Sequence, residues 1–149
     1  MPGRCLGIDH GEKRIGLAVS DELGLIAHGL PILQWTTLHG VLEAIAKVVQ
    51  EREVVEVILG LPRNMDGTMG PKGVQAERFA QMLRDRLKIP VSTWDERLTT
   101  VQARRLVPDD ALSRKKRRDH INVVAAQLIL QAWLDNRRRS LPKVDEEEG

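Results

Sequence analysis

Residues Leu6–Asp21 read LGIDHGEKRIGLAVSD, and this stretch decides the fold. Two β-type runs, Cys5–Ile8 and Ile15–Val19, are joined by a polar turn that carries Gly11. Asp9 stands where the first run ends. A strand that ends in a carboxylate delivers a charge to the rim of a sheet, where open α/β folds usually bind their ligands. Asp is also a good turn residue, so Asp9 taken alone is equally compatible with a purely structural turn.

The composition is typical of a soluble globular domain. The chain has 149 residues, of which 42% are hydrophobic and 30% are charged, so it can bury one sizeable core. No apolar run is long enough to span a bilayer, the N-terminus shows no signal peptide, and Cys5 is the single cysteine. These features predict a cytoplasmic protein that has no membrane partner. The net charge of +2 is too small to identify a partner, so the distribution of charge must be considered.

The remaining periodicity predicts three further strands and four helices. The strands are expected at 26–33, 54–59 and 91–94, and the helices near 37–49, 71–87, 99–106 and from 119 onward. Pro31 cannot donate to a ladder, which places its strand at a sheet edge. This order predicts an α/β domain over residues 1–136, in which helices flank a five-stranded mixed sheet. Residues 137–149 form a charged tail that is expected to be disordered.

Three acidic positions are expected to meet at one rim of this sheet. If the later strands run parallel to the first, Asp9 lies near Asp95 and Glu96, and Asp119 begins a helix that can cross the same rim. Converging carboxylates repel one another unless a cation lies between them. Oxygen ligands suit Mg²⁺ or Mn²⁺, and a pair of such ions roughly 3.5–4 Å apart would activate water against a phosphodiester. The alternatives are a solvated turn at Asp95–Arg97 and a helix cap at Asp119.

Basic residues cluster between Val101 and Asp119. They are Arg104, Arg105, Arg114, Lys115, Lys116, Arg117 and Arg118, against only Asp109 and Asp110. Such a cluster can neutralise a nucleic-acid backbone, although a solubilising and mobile loop would have the same composition. With one Phe, three Trp and no Tyr, extensive base stacking is not expected, and recognition of backbone and shape is favoured.

Several motifs together make the chain resemble a known family. They are GIDHGEKRIGLAVSD at 7–21, GLPRNMDGTMGP at 60–71, WDERLTT at 94–100, SRKKRRD at 113–119 and AAQLILQAWLD at 125–135. In this order they resemble the pre-16S rRNA nuclease family, also called the RuvX or YqgF family of Holliday-junction-resolvase-like proteins. The resemblance implies a ribonuclease H-like fold and a cytoplasmic bacterial nuclease that uses Mg²⁺ or Mn²⁺. The implied role is to trim the 5′ end of the 16S rRNA precursor, with four-way-junction DNA as the alternative substrate.

The resemblance also implies roles for individual acids. Asp9 matches the metal ligand on the first strand, and Glu96 matches the acid of the DER motif. Asp95 would not bind the metal itself but would support its neighbour Glu96. Asn122 stands where the family usually has Asp. Asp119 lies three residues earlier on the same helix face, so we expect it to replace the missing carboxylate, with Asn122 as a neutral ligand or orienting group. The predicted catalytic residues are therefore Asp9, Glu96 and Asp119.

Ten polar and basic residues are expected to bind the nucleic acid. Lys13, Arg14, Arg63 and Asn64 resemble family positions near the substrate backbone and are expected to position phosphates. The other candidates are basic residues of the later part of the chain: Arg97, Arg114, Lys115, Lys116, Arg117 and Arg118. The expected partner is structured RNA, with branched DNA and ribosomal precursor particles as further candidates. The pattern is compatible with a monomer or a homodimer.

Two other classes of function remain open at this stage. A phosphotransferase of the actin/hexokinase type also has an Asp-x-Gly turn after its first strand, but it needs a second domain copy that 149 residues do not contain. ATP binding would test this alternative. A ribosome-assembly factor that binds RNA with little catalysis is the other alternative, and Asn122 in place of an acid keeps it open.

Overall fold

The computed structural model of the chain describes residues 3–62, 64, 66–96, 99–107 and 113–140. These residues form six strands and four helices, in an order that matches the predicted alternation. The elements are β1 (Arg4–His10), β2 (Arg14–Ser20), β3 (Ala27–Gly29), β4 (Leu33–Gln34), α1 (Leu38–Glu51), β5 (Val54–Leu61), α2 (Pro71–Leu87), β6 (Val91–Asp95), α3 (Thr99–Leu106) and α4 (Arg114–Ser140).

The strands form one mixed sheet in the order β3-β2-β1-β5-β6, with β4 also paired to β2. β1 is antiparallel to β2, whereas β5 lies between β1 and β6 and is parallel to both, as predicted. The sheet has six strands rather than five, because the predicted strand at 26–33 is divided into β3 and β4 around Pro31. Both pieces pair with β2 on the outer side of the sheet, where a missing N–H donor is tolerated.

Alternation along β1 sends its side chains into two different cores. Leu6 and Ile8 pack with α1 and α2 on one face of the sheet. Cys5 packs with α4 on the other face, which is also the face of Asp9 because side chains alternate along a strand. α3 lies against α4 through a small apolar cluster that includes Ala103 and Ala125. The sheet is therefore covered on both faces, and Asp9 points toward the side that carries α4.

Helix α4 begins earlier than the sequence predicts. We expected a helix from Asp119 and a mobile segment before it, but α4 begins at Arg114. Ser113 caps it: its hydroxyl accepts from the backbone N–H of Lys116 at 3.2 Å, and its carbonyl accepts from the N–H of Arg117 at 2.9 Å. Lys and Arg are good helix formers, so the basic run extends the helix once a cap is present.

The same helix also ends later than predicted. The tail was expected to begin at Arg137, but α4 continues to Ser140. The guanidinium of Arg137 lies 4.7 Å from the ring centre of Trp133 on the same helix, and cations near a helix C-terminus interact favourably with its dipole. Residues 141–149 lie outside the described part of the chain, so the tail itself stays a prediction. None of the helices in the described ranges has the length and hydropathy needed to cross a membrane.

Candidate active site

The parallel strands bring two acids to one edge of the sheet. Asp9 is next to last in β1, and Glu96 directly follows β6, where its N–H donates to the carbonyl of Leu61 at the end of β5 at 3.2 Å. The carboxyl groups of Asp9 and Glu96 are close enough to share a hydrogen bond. The structure thus brings together the two acids that the strand pattern assigned to one rim.

A glycine opposite Asp9 lets helix α4 approach the sheet. Gly16 is the cross-strand partner of Asp9 in the register of β1 and β2. A Cβ atom at Gly16 would lie 2.0 Å from the backbone oxygen of Asn122, so only glycine permits this contact. The close approach places Asn122 Nδ2 2.8 Å from Asp9 Oδ2, to which it donates a hydrogen bond. Asn122 therefore orients the Asp9 carboxylate.

A second glycine makes room for Glu96. A Cβ atom at Gly60 on β5 would lie 2.5 Å from Glu96 Oε2 and 2.5 Å from Ile129 Cδ1. The sequence places Gly60 at the same rim as Asp9 and Glu96 but gives neither Gly16 nor Gly60 a packing role, although a glycine inside an apolar strand often marks a close approach of another group. The geometry of the acid pair therefore depends on two glycines: Gly16 allows Asn122 to approach Asp9, and Gly60 leaves space for the Glu96 side chain.

Burial makes it unfavourable for both carboxylates to ionise. Asp9 is only 7% exposed, and burial raises its pKa, against a lowering effect of the hydrogen bonds from Asn122 and Glu96. The pKa of Glu96 is raised to about 9, first by burial and then by the charge and hydrogen bond of Asp9, with a further contribution from the charge of Asp95. Without a cation the pair therefore retains a proton at neutral pH.

The acid pair lies in a cleft of about 1120 Å³. Seven basic residues line it, against three acidic ones, so the potential inside the cleft favours a polyanion. The basic residues are Lys13, Arg14, Lys72, Arg78, Arg104, Arg117 and Arg118, and the acidic ones are Asp9, Glu12 and Glu96. Lys72 and Arg78 were missed by sequence reasoning, because nothing in the exposed side of α2 shows which way that helix faces.

The predicted phosphate-contacting residues fall into three groups. Lys13, Arg14, Arg117 and Arg118 line the cleft. Arg114, Lys115 and Lys116 are exposed on the first turn of α4, and Asn64 is exposed in the loop after β5, where its amide donates to Thr68 Oγ1 at 3.0 Å. Arg63 and Arg97 lie outside the described residues. The contacts of all these residues with phosphates remain predictions.

The chain is similar to known proteins over most of its length. The family model described as RuvX, Holliday junction resolvase, matches residues 3–136. The chain belongs to the RuvX family. A relative from Myxococcus xanthus is 49% identical over 135 residues, which cover 91% of this chain and 89% of the relative. A relative from Syntrophomonas wolfei is 48% identical over 132 residues, which cover 89% and 94%. Both carry the provisional name pre-16S rRNA nuclease.

Solved structures confirm the predicted ribonuclease H-like fold of this RuvX-family chain. Thermus thermophilus RuvC in complex with a Holliday junction superimposes with a TM-score of 0.57 at 14% identity, covering 93% of this chain and 97% of RuvC. The Fowlpox virus resolvase in complex with Holliday junction DNA gives a TM-score of 0.52 at 12% identity, covering 90% and 98%. At these identities the likeness shows the fold alone.

Asp119 contacts a basic side chain of the cleft in this RuvX-family chain. Asp119 Oδ1 lies 2.9 Å from Arg14 Nε, and both side chains are mostly buried. Within the ranges that the structure describes, no three His, Cys, Asp or Glu side chains form a group that could hold a metal ion. The structure thus unites Asp9, Glu96 and Asn122 and pairs Asp119 with Arg14. Asp95, the last residue of β6, is exposed and acts on Glu96 through its charge.

The raised pKa of Glu96 predicts a pH-dependent stability for this RuvX-family protein in a chelating buffer. A carboxyl group whose pKa rises on folding, here from 4.5 to about 9, binds its proton more tightly in the folded state. The free energy of unfolding must then fall as pH rises through that window. We expect urea denaturation to show this fall between pH 7.5 and about 9, a range above the lowered pKa of His10. Glu96→Gln should flatten the slope, and an unchanged slope in that variant would contradict the assignment.

Proposed function

We propose that this chain is a metal-dependent nuclease that hydrolyses phosphodiester bonds and processes the 5′ end of pre-16S rRNA in the cytoplasm. The observation that carries the proposal is the contact between the buried carboxylate of Asp9 and the partly buried carboxylate of Glu96, in a cleft whose charged residues are mainly basic. Burying two like charges in contact is unfavourable and is typical of sites that hold a cation. The names of the relatives supply the substrate class.

The residues present fit a divalent cation. Glu96 Oε2 is buried, and no donor from the described residues reaches it. Asp9 and Glu96 would hold Mg²⁺ or Mn²⁺, and the amide oxygen of Asn122 is available as a neutral ligand. Mg²⁺ typically binds through one or two carboxylates, with water and substrate phosphates completing its shell. When bound there, such an ion would lower the pKa of a water molecule and offset charge on the leaving oxygen.

The other residues of the cleft bind and orient the substrate. Asn122 donates to Asp9 Oδ2 and so fixes the direction in which the remaining carboxylate oxygen points. Lys13 is exposed in the turn after β1, and Arg117 and Arg118 lie on the first turns of α4. These cations come from separate elements around the acid pair, so a phosphate backbone that enters the cleft is held on more than one side.

The proposal is tested by cleavage of two substrates. An RNA that carries the 16S 5′ extension and a four-way DNA junction are incubated with the protein in Mn²⁺, in Mg²⁺ and in chelator. We expect the RNA to be shortened at its 5′ end only when a divalent ion is present. Cleavage of the junction alone would instead support a resolvase, the activity in the description of the family model. Salt-sensitive RNA binding without cleavage under any condition would overturn the nuclease proposal in favour of an assembly factor.

Asp119 is proposed to contribute a third carboxylate during catalysis. It lies one helical turn before Asn122 on α4, so the two side chains share a face of the helix, and Asp119 forms an ion pair with Arg14. We expect Asp119→Asn to lower cleavage about ten- to a hundredfold. It should also reduce the rise in Tm that Mn²⁺ causes in the wild-type protein, because binding to the folded state stabilises it.

The matched control is Arg14→Gln, examined alone and combined with Asp119→Asn. If Asp119 acted only as the ion-pair partner of Arg14, both single variants and the double variant would lose activity equally. The proposal instead requires that Arg14→Gln keep the Mn²⁺-induced rise in Tm. Full cleavage activity in Asp119→Asn would refute the role of Asp119 outright.

A further inference from the structure

Three rings cluster at the rim of the sheet where the acid pair lies, on the side of β1 that faces α1 and α2. His10, which follows Asp9 on β1, stacks on Phe79 of α2 with ring centres 4.5 Å apart and an interplanar angle of 20°. Trp35 meets His10 edge-on at 5.6 Å and lies 6.3 Å from Phe79. All three rings line the same cleft as Asp9 and Glu96. The lining of the cleft therefore includes both the acid pair and an aromatic cluster, here called the aromatic wall.

The three rings differ in how they are held. Phe79 is 3% exposed and belongs to the main core, so it is a fixed support for His10. Trp35 lies in the segment between β4 and α1, where its backbone N–H donates to the backbone carbonyl of Lys13 at 2.9 Å. Its ring is only half-buried, and its neighbour Leu38 is 41% exposed. A partly exposed indole that packs against His10 and Phe79, next to an exposed leucine, is an apolar surface that a flat ring can cover.

Basic residues surround this wall. Lys72 and Arg78 lie on α2, both are exposed, and both line the cleft together with Phe79. Lys72 also forms an exposed ion pair with Glu12 at 3.8 Å, which a phosphate can replace at little cost. An occupant that combines a planar apolar ring with a negative charge matches both features. A nucleotide has this chemistry, whereas an apolar peptide would leave the basic residues without partners.

We propose that Trp35, supported by His10 and Phe79, binds one unpaired nucleobase of the nucleic-acid substrate beside the acid pair. Lys72 and Arg78 then contact the phosphates on either side of that base. The substrate class rests on the function proposed above, whereas the stacking site rests on the ring geometry. The scarcity of aromatic residues argued against stacking, yet two of the four Phe and Trp residues in the chain lie in this cleft. The protein would accordingly select a nucleic acid that has an unpaired nucleotide next to the bond it cuts.

The test measures binding without cleavage. The probe is an RNA hairpin with a short 5′ single-stranded overhang, held with the full-length protein in chelator, and its Kd is read by fluorescence anisotropy. Each overhang base is removed in turn by an abasic substitution. We expect one abasic position to weaken wild-type binding by roughly five- to a hundredfold, the range found when one stacked base is lost. Trp35→Ala should weaken binding to the intact overhang by the same factor and show no further loss at that abasic position.

Trp35→Phe is the conservative variant and should restore most of the affinity, because phenylalanine also stacks on bases. A second readout uses the Trp94→Phe/Trp133→Phe background, in which Trp35 is the remaining tryptophan. Its fluorescence should be quenched by the hairpin with an overhang and not by a blunt hairpin of the same stem. Thermal unfolding of each variant shows that it is folded.

The proposal is overturned if Trp35→Ala binds the intact overhang as tightly as wild type. It is also overturned if that variant loses the same factor on blunt and on abasic hairpins, since Trp35 would then only support the cleft. Both readouts are taken without a metal ion. A protein that shows stacking but no cleavage contradicts only the nuclease proposal, and one that cleaves RNA without base-dependent binding contradicts only this inference.

Discussion

Changing Asp9 to Asn is expected to reduce cleavage by a hundred- to a thousandfold, the range typical of losing one preorganised electrostatic contact in an active site. Asn keeps the size of the side chain but removes the charge that would attract the cation. The hydrogen bond from Asn122 to this position can be retained through the new amide oxygen. The loss should therefore arise from chemistry rather than from misfolding. Cleavage of the precursor RNA in Mn²⁺ provides the measurement.

The stability of Asp9→Asn shows whether the loss of cleavage comes from lost chemistry or from misfolding. In chelator, Asp9→Asn removes one of two buried carboxylates that are in contact, so the Tm at pH 8 should equal or exceed that of the wild type. The rise in Tm on adding Mn²⁺ should disappear. Asp85→Asn is the matched control, since Asp85 is exposed on α2 and contacts only Gln81 among the hydrogen bonds described. Cleavage within a few-fold of wild type in Asp9→Asn would contradict the proposed site.

Changing Gly16 to Ala is expected to have the second large effect, by lowering the free energy of unfolding by about 3 kcal/mol. The added Cβ would lie 2.0 Å from the backbone oxygen of Asn122, and a backbone atom cannot rotate away as a side chain can. Helix α4 must shift off β2, and the Asn122–Asp9 hydrogen bond must lengthen or break. For a domain of this size, such a loss lowers Tm by roughly 6–12 °C. Calorimetry measures it.

Gly40→Ala is the matched control for this substitution. Gly40 lies in the first turn of α1, and its added Cβ would meet the side-chain oxygen of Thr36 at 2.7 Å, which can rotate away. Alanine also favours the helix by up to about 1 kcal/mol, so Gly40→Ala should be close to neutral. Below its own Tm, Gly16→Ala should still cleave RNA less well than the control. Wild-type stability and activity in Gly16→Ala would mean that α4 does not depend on a close approach at this glycine.

The strand pattern was sufficient to place the two central acids. Asp9 ends an apolar run, Glu96 follows another, and strands that are parallel end at the same edge of a sheet. That reasoning needs only the alternation of side chains along a strand and the direction in which each strand runs. The order of motifs was sufficient for the family, because residues 3–136 match the RuvX model as a whole. The mixed sheet and the edge position of the strand around Pro31 were predictable for the same local reasons.

Local patterns could not place the residues whose positions depend on how α4 and α2 pack. Both Asp119 and Asn122 are predicted near Asp9, and the packing of α4 on the sheet brings Asn122 to Asp9 while it pairs Asp119 with Arg14. The position of α4 in turn depends on a glycine in β2, a contact between segments more than 100 residues apart.

The sequence by itself determined the family, the fold class and the edge of the sheet where Asp9 and Glu96 meet, since strand period and motif order are local properties. Only the tertiary structure decided the partners of Asp119 and Asn122 and the assembly of Trp35, His10 and Phe79 into one wall of the cleft. The physical reason is that the packing of a helix on a sheet depends on van der Waals contacts between distant segments, and those contacts leave no periodic signal in either segment.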